Sequence, residues 1–219
     1  MTLSRRTLLR DSLTIAGSLI FTGVSQSALA DAPGDLEAAL AEVKQARASM
    51  KTMKGPFTQE RTIGLLAAKV RSTGTLAMVR PDRLRWELAP PDDIVYWVGP
   101  EGFSYKSSRG QGHIPAAAAR LASAMEDVRL VLGGDLDQLR TRYDLALAGK
   151  TPDEVSFVAT PKAGAADLHL QKIIFSLGKD RATPTKATLI ESARDKTDIV
   201  FGAMQRDIVI DPAYVRGAF

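Results

Sequence analysis

The sequence predicts an α+β fold: a single curled antiparallel β-sheet, an incomplete barrel of about ten to eleven strands, with helices covering its concave face. Three observations predict it. Short runs of alternating apolar and polar residues recur along the chain, separated by turns rich in Pro, Gly and Asp. Two segments, one near the start and one at the centre, instead carry apolar residues at spacings of three and four, as amphipathic helices do. Only 6% of the residues are aromatic, so the concave side is filled by Leu, Val, Ile, Met and Ala, with few bulky rings.

The first element is an address. Arg5, Arg6 and Arg10 precede an apolar stretch from Leu13 to Val24, and Ala28-Leu29-Ala30 supplies small residues for cleavage. Residues 1–30 are therefore expected to be a cleaved export signal, with the mature chain starting near Asp31. Ser4 to Arg10 resembles a twin-arginine signature, although paired arginines also occur in general secretory signals. The apolar run falls short of the ~20 residues that span a bilayer. Residues 31–219 then form one domain, because a chain of this length with 45% hydrophobic and 25% charged residues supports one well-packed core.

From Asp35 to Met53 the residues Leu36, Leu40, Val43, Ala46, Met50 and Met53 mark one helix face, with Asp35 as N-cap and Gly55-Pro56 as the stop. Strands follow at Phe57 to Arg61, Val70 to Val79, Arg83 to Leu88, Ile94 to Val98 and Phe103 to Tyr105. The third alternates strictly, with Leu84, Trp86 and Leu88 on one face and Arg83, Arg85 and Glu87 on the other. Pro81-Asp82, Pro90 to Asp93 and Gly99 to Gly102 are the turns between them. A helix from Pro115 to Leu132 carries Leu121, Met125, Val128 and Leu132 on one side and closes at Gly133-Gly134, with a brief helical turn at Leu136 to Leu139. Strands resume at Tyr143 to Leu147, Glu154 to Thr160, Leu168 to Leu177, Ala187 to Ser192 and Thr197 to Phe201.

Composition and spacing argue against several function classes. The formal net charge of +4 includes a surplus of two from the leader, leaving about +2 for the mature chain, so the high pI gives no case for nucleic acid. With no cysteine, and with His113 and His169 lacking partners at helical spacing, no metal or cofactor site is expected. The chain has no nucleophile elbow and no phosphate-binding loop. Asp92-Asp93 with Glu101 reads as loop chemistry, since neighbouring strand residues face opposite sides. The expectation is a protein that is not an enzyme. Arg83 and Arg85 are expected to be solvated.

Phe57-Thr58-Gln59, Gly74-Thr75-Leu76, Arg80 to Glu87 and Pro90-Pro91 form a series in fixed order. It resembles the outer-membrane lipoprotein carrier protein family, LolA, most specifically between Phe57 and Tyr105. The resemblance implies a monomeric periplasmic chaperone that receives acylated lipoproteins, or other lipids, from an inner-membrane transporter and passes them to an outer-membrane receptor. It also implies that Arg80 holds a helical lid through hydrogen bonds. Leu76, Met78, Leu84, Trp86, Trp97, Phe103, Met125 and Phe175 are expected to line the acyl-chain cavity, with Trp97 at the opposite parity from Ile94, Tyr96 and Val98. The C-terminal segment Ile208 to Pro212 departs from the family pattern. That departure leaves open a carrier of another lipid, or a sensor or interaction domain of the same fold with a filled core.

Overall fold

The computed structural model describes residues 33–114, 120–133, 135–164 and 168–217, so the export signal expected over 1–30 lies outside the described residues. The chain runs α1 (Pro33–Arg47), β1 (Thr52–Ile63), β2 (Ala68–Val79), β3 (Arg83–Leu88), β4 (Ile94–Gly99), β5 (Gly102–Ser107) and β6 (Gly110–Ile114). It continues through α2 (Arg120–Leu132), α3 (Leu136–Arg142), β7 (Tyr143–Lys150), β8 (Glu154–Pro161), β9 (Lys172–Gly178), β10 (Pro184–Ile190), β11 (Lys196–Phe201), β12 (Gln205–Arg206) and α4 (Pro212–Arg216). All twelve strands join one antiparallel sheet in the order β6-β5-β4-β3-β2-β1-β11-β10-β9-β8-β7, with β12 attached to β1. β6 and β7 do not pair with each other, so the barrel stays open, as its sequence pattern predicts.

The register shows how alternation builds the inner face. Leu84, Trp86 and Leu88 of β3 stand opposite Met78, Leu76 and Gly74 of β2, and opposite Val98, Tyr96 and Ile94 of β4. Met53 and Phe57 of β1 continue those rows, and Phe201, Ile199, Ala187, Phe175 and Phe157 carry them across the second half of the sheet. Gly74 is needed here. A Cβ on it would lie 2.6 Å from Phe57 Cζ and 2.1 Å from the Glu87 carbonyl, so the missing side chain is the seat of the Phe57 ring. That ring lies 3.9 Å from Trp86 between centroids, and Trp86 meets Phe201 edge-on at 6.4 Å.

Several elements differ from expectation for identifiable reasons. α1 ends at Arg47 rather than near Met53, and Met53 is already in β1. Both Met50 and Met53 are buried, so burial in the sheet core produced the spacing that reads as helix. Gly55-Pro56 lies inside β1, where β12 stops pairing and β11 has not yet begun. Proline is tolerated at that break because no ladder partner needs its missing amide. Asp35 lies within the first turn of α1 instead of preceding it. The segment from Gly110, to which the sequence pattern assigns no element, forms β6 and pairs with β5. Leu121 of α2 is exposed.

The outer face is also partly covered. Asp211 caps α4, accepting from the Ala213 amide at 2.9 Å, and proline occupies the first turn. This helix lies on β3 and β4: Tyr214 Oη accepts from Arg85 Nη1 at 2.6 Å, and the Arg85 guanidinium sits 4.1 Å from the Tyr214 ring centre. Arg83 forms a two-pronged pair with Glu101 at 3.1 and 2.7 Å. Neither arginine is a freely solvated side chain, which corrects the reading of that face.

Candidate functional site

Seven of the eight residues expected to line the cavity come together. Leu76, Met78, Leu84, Trp86, Phe103, Met125 and Phe175 belong to one buried cluster, six on the inner sheet face and Met125 on α2 opposite them. Trp97 does not join them. It pairs with Arg85 across β3 and β4, and its Nε1 donates to the Tyr214 carbonyl at 3.2 Å. The pleat therefore places it on the outer face beneath α4, and the expectation for Trp97 is corrected.

The inner surface is shut by the helices. Leu40 and Val43 of α1, and Val128, Val131 and Leu132 of α2, pack into the same cluster. Three arginines form a ring of hydrogen bonds that link the helix ends to one another and to the sheet. Arg80, in the turn after β2, donates through Nη1 to the carbonyl of Arg47, the last residue of α1, with a longer contact of 3.5 Å to the Met50 carbonyl. Arg47 in turn donates through Nη2 to the carbonyls of Val131 and Leu132 at 3.0 and 3.2 Å, and through Nε to Ala182 at 3.2 Å. Val131 and Leu132 end α2, where the helix dipole also favours a cation. Arg129 of α2 closes the ring, donating to the Pro81 carbonyl at 2.6 Å while pairing with Glu126.

This ring is under electrostatic load. Arg47 is only 2% exposed, and burial pushes its guanidinium down to about 9, with the charge of Arg80 adding to the effect. Among the described residues its Nη1 has no hydrogen-bond partner. A buried unpaired donor costs ~1–3 kcal/mol, so the closed arrangement carries a penalty that opening into water relieves. A second anchor lies further along α2. Asp127, fully buried, accepts from Tyr143 Oη at 2.7 Å. Its Oδ1 lies 2.7 Å from Arg142 Nη1 as an ion pair but off the hydrogen-bond direction. Burial raises the Asp127 carboxyl to about 6 despite both neighbours.

At the far end of the inner face a cavity of about 420 Å³ stays open, with Ile63, Val70, Leu88, Ile94 and Tyr96 as its apolar part and Arg61, Asp92 and Arg109 at its rim. Its volume falls within the ~300–1,000 Å³ usual for ligand pockets. A cleft of about 630 Å³ is larger, but Thr58, Thr73, Thr75 and Val200 among its lining point outward by parity. The inner cavity meets the buried cluster at Leu88, with Ile94 and Tyr96 packed against it, and the larger cleft reaches the same cluster through Phe57, Leu88 and Phe201.

The histidines sit apart from this site. His113 is on β6, and His169 Nε2 lies 2.9 Å from Glu191 Oε2. Among the described residues no group of three or more His, Cys, Asp or Glu is placed to hold a metal, and no helix is long and apolar enough to cross a membrane.

Comparison with known proteins agrees with this architecture. The profile of the family "Outer membrane lipoprotein carrier protein LolA" matches residues 48–214. The outer-membrane lipoprotein carrier protein of Dechloromonas aromatica is 27% identical over 164 residues, covering 74% of this chain and 75% of its own length. That of Xylella fastidiosa strain Temecula1 is 25% identical over 161 residues, covering 73% and 74%. Among solved structures, a conserved protein from Thermus thermophilus superposes with a TM-score of 0.52 at 9% identity, covering 84% of this chain and 94% of that one. A LolA superfamily protein from Nitrosomonas europaea gives 0.47 at 8% identity, covering 82% and 97%. With the family match spanning most of its length, this chain belongs to the LolA family of outer-membrane lipoprotein carrier proteins.

Proposed function

We propose that this protein is a periplasmic carrier that takes the acyl chains of a lipoprotein between the inner sheet face and α1 and α2, and ferries them from an inner-membrane transporter to an outer-membrane receptor. The observation that carries this reading is the arginine ring. The helices are held over an apolar sheet by hydrogen bonds from side chains to helix-end carbonyls, which break and re-form without unfolding either layer. Arg80 is the lid-holding residue, and Arg47 and Arg129 share that role. Opening exposes apolar surface, and cargo covers it again at ~0.8 kcal/mol for each buried methylene. The carrier is not an enzyme: binding and release are matched apolar exchanges that need no chemical step.

Native mass spectrometry with lipid extraction, on wild type and Arg80→Leu purified from a periplasmic fraction, tests the proposal. Acylated cargo should copurify and be retained more firmly by the variant, whose lid closes less readily. An empty protein that also ignores added triacylated lipopeptide would exclude it.

A second reading has one observation in its favour. Leu76, Leu84 and Met78 are 0–1% exposed, so the inner face is filled when the helices are down, as in a sensor or interaction domain that carries no lipid. Under that reading lipopeptide leaves the amide exchange of α1 and α2 unchanged, whereas the carrier reading requires it to rise.

A further inference from the structure

The hairpin joining β1 to β2 ends in a single 3-10 turn, Gly64–Leu66, that presents two leucines to solvent. Leu65 is 92% and Leu66 67% exposed, and Val70 on the flank of the hairpin is also open. Scattered apolar residues are ordinary on a surface, but an adjacent aliphatic pair at the end of two twelve-residue strands is a concentrated feature.

The tip is held in place. The Gly64 amide donates to Asp195 Oδ1 at 3.0 Å, and the Ala67 amide donates back to the Gly64 carbonyl at 3.3 Å. Ala67 adopts the left-handed conformation that turns the chain. A Cβ on Gly64 would lie 2.2 Å from Arg194 Cβ, so the glycine lets the β1–β2 tip lean on the β10–β11 turn. The leucines point outward because the backbone beneath them is tied down.

Charge around the tip has a consistent order. Lys69 and Arg71 pair with Glu60, with side-chain exposures of 65% and 83% against 22% for the carboxylate. Arg61 over Glu191 and Lys196 over Asp198 repeat the arrangement. In each pair the cation is outermost, so the charge met first by an approaching surface is positive.

We propose that Leu65 and Leu66 dock the protein on a lipid bilayer, entering the boundary between headgroups and acyl chains while Arg61, Lys69 and Arg71 reach the phosphates. A protruding point ringed by charge offers little of the ~800 Å² that a protein partner needs on each side. Lipid flows around such a point and covers it from every direction. Ile63 and Val70, on the flank of the hairpin, also line the open inner cavity. Docking thus sets the cavity mouth against the layer that acyl chains leave or enter. The inference rests on the carrier reading for its purpose, but not for its physics.

Flotation of the purified protein with vesicles of phosphatidylglycerol and phosphatidylethanolamine tests it. Wild type should float, less at high salt. Leu65→Ser/Leu66→Ser should lower the apparent vesicle affinity about tenfold or more. Val209→Ser, at a fully exposed valine outside the hairpin tip, should change nothing. Because both leucines lie in solvent, the double variant should melt as wild type does. Wild type that fails to float, or a double variant that floats as well as wild type, overturns the proposal. Capture of triacylated lipopeptide in vesicle-free solution separates the two readings. Capture without flotation sinks docking alone, whereas leucine-dependent flotation without capture sinks the carrier reading and leaves docking standing.

Discussion

The carbonyl of Arg47 accepts from Arg80 while the side chain of Arg47 donates to Val131 and Leu132, so one residue is held by the sheet and itself holds the second helix. Arg47→Leu should therefore free the end of α2 more than Arg80→Leu does. Amide exchange at Leu132 and Gly133 is expected to accelerate about tenfold or more in Arg47→Leu, for a loss of roughly 1–3 kcal/mol in charged hydrogen bonds. Equal protection in the two variants would mean that Arg80 alone carries the lid.

Trp86 and Trp97 are the only tryptophans, and they lie on opposite faces of the sheet. Binding of a triacylated lipopeptide should shift the emission of Trp97→Phe, in which Trp86 reports alone. Trp86→Phe, in which the residue beneath α4 reports, should hardly respond. A response confined to Trp97 would put the cargo on the outer face.

Gly74→Ala forces a methyl group into the space of the Phe57 ring and against the Glu87 carbonyl. The expected cost is roughly 1–3 kcal/mol, the usual range for overpacking. It should be accompanied by altered Trp86 fluorescence, because Phe57 can no longer stack on that indole. Thermal melts together with emission spectra check both parts.

Asp127 binds its proton more tightly in the folded state, near 6 against the ordinary 3.8. Its contribution to stability is thus fully present below about 3.8 and is lost as pH rises through about 6. The total across that window is at most about 3 kcal/mol. Asp127→Asn should flatten the dependence of Tm on pH between about 4 and 7 relative to wild type. An unchanged slope would show that the buried carboxyl does not titrate in that range.

Much of this was legible in the residues. Alternation placed β3 correctly from Arg83 to Leu88, because a half-buried strand writes its two faces directly into the chain. The same parity already set Trp97 apart from Ile94, Tyr96 and Val98. The end of α1 was not legible, since Met50 and Met53 are buried by tertiary contacts at a spacing that also fits a helix. Gly110 and Gly112 hid β6, which has little side-chain pattern of its own. The segment Ile208 to Pro212, set apart in the sequence only as a departure from the family pattern, contains the start of α4, an N-cap at Asp211 followed by proline. Arg47 was invisible as a functional residue because its role comes from two helix ends meeting across 84 positions of sequence, and it lies just before the region that matches the family.

The two unpaired edges, β6 and β7, bear on what size of cargo the sheet accepts. A closed barrel has its girth set by strand number and stagger, and widening it means breaking a ladder. Here the strands form an open ribbon, whose curvature can change by small adjustments of twist at each neighbour without breaking a ladder. Under the carrier reading, the seam between β6 and β7 would work like the gap in a spring clip, letting thicker and thinner passengers share one jaw at the expense of side-chain contacts alone.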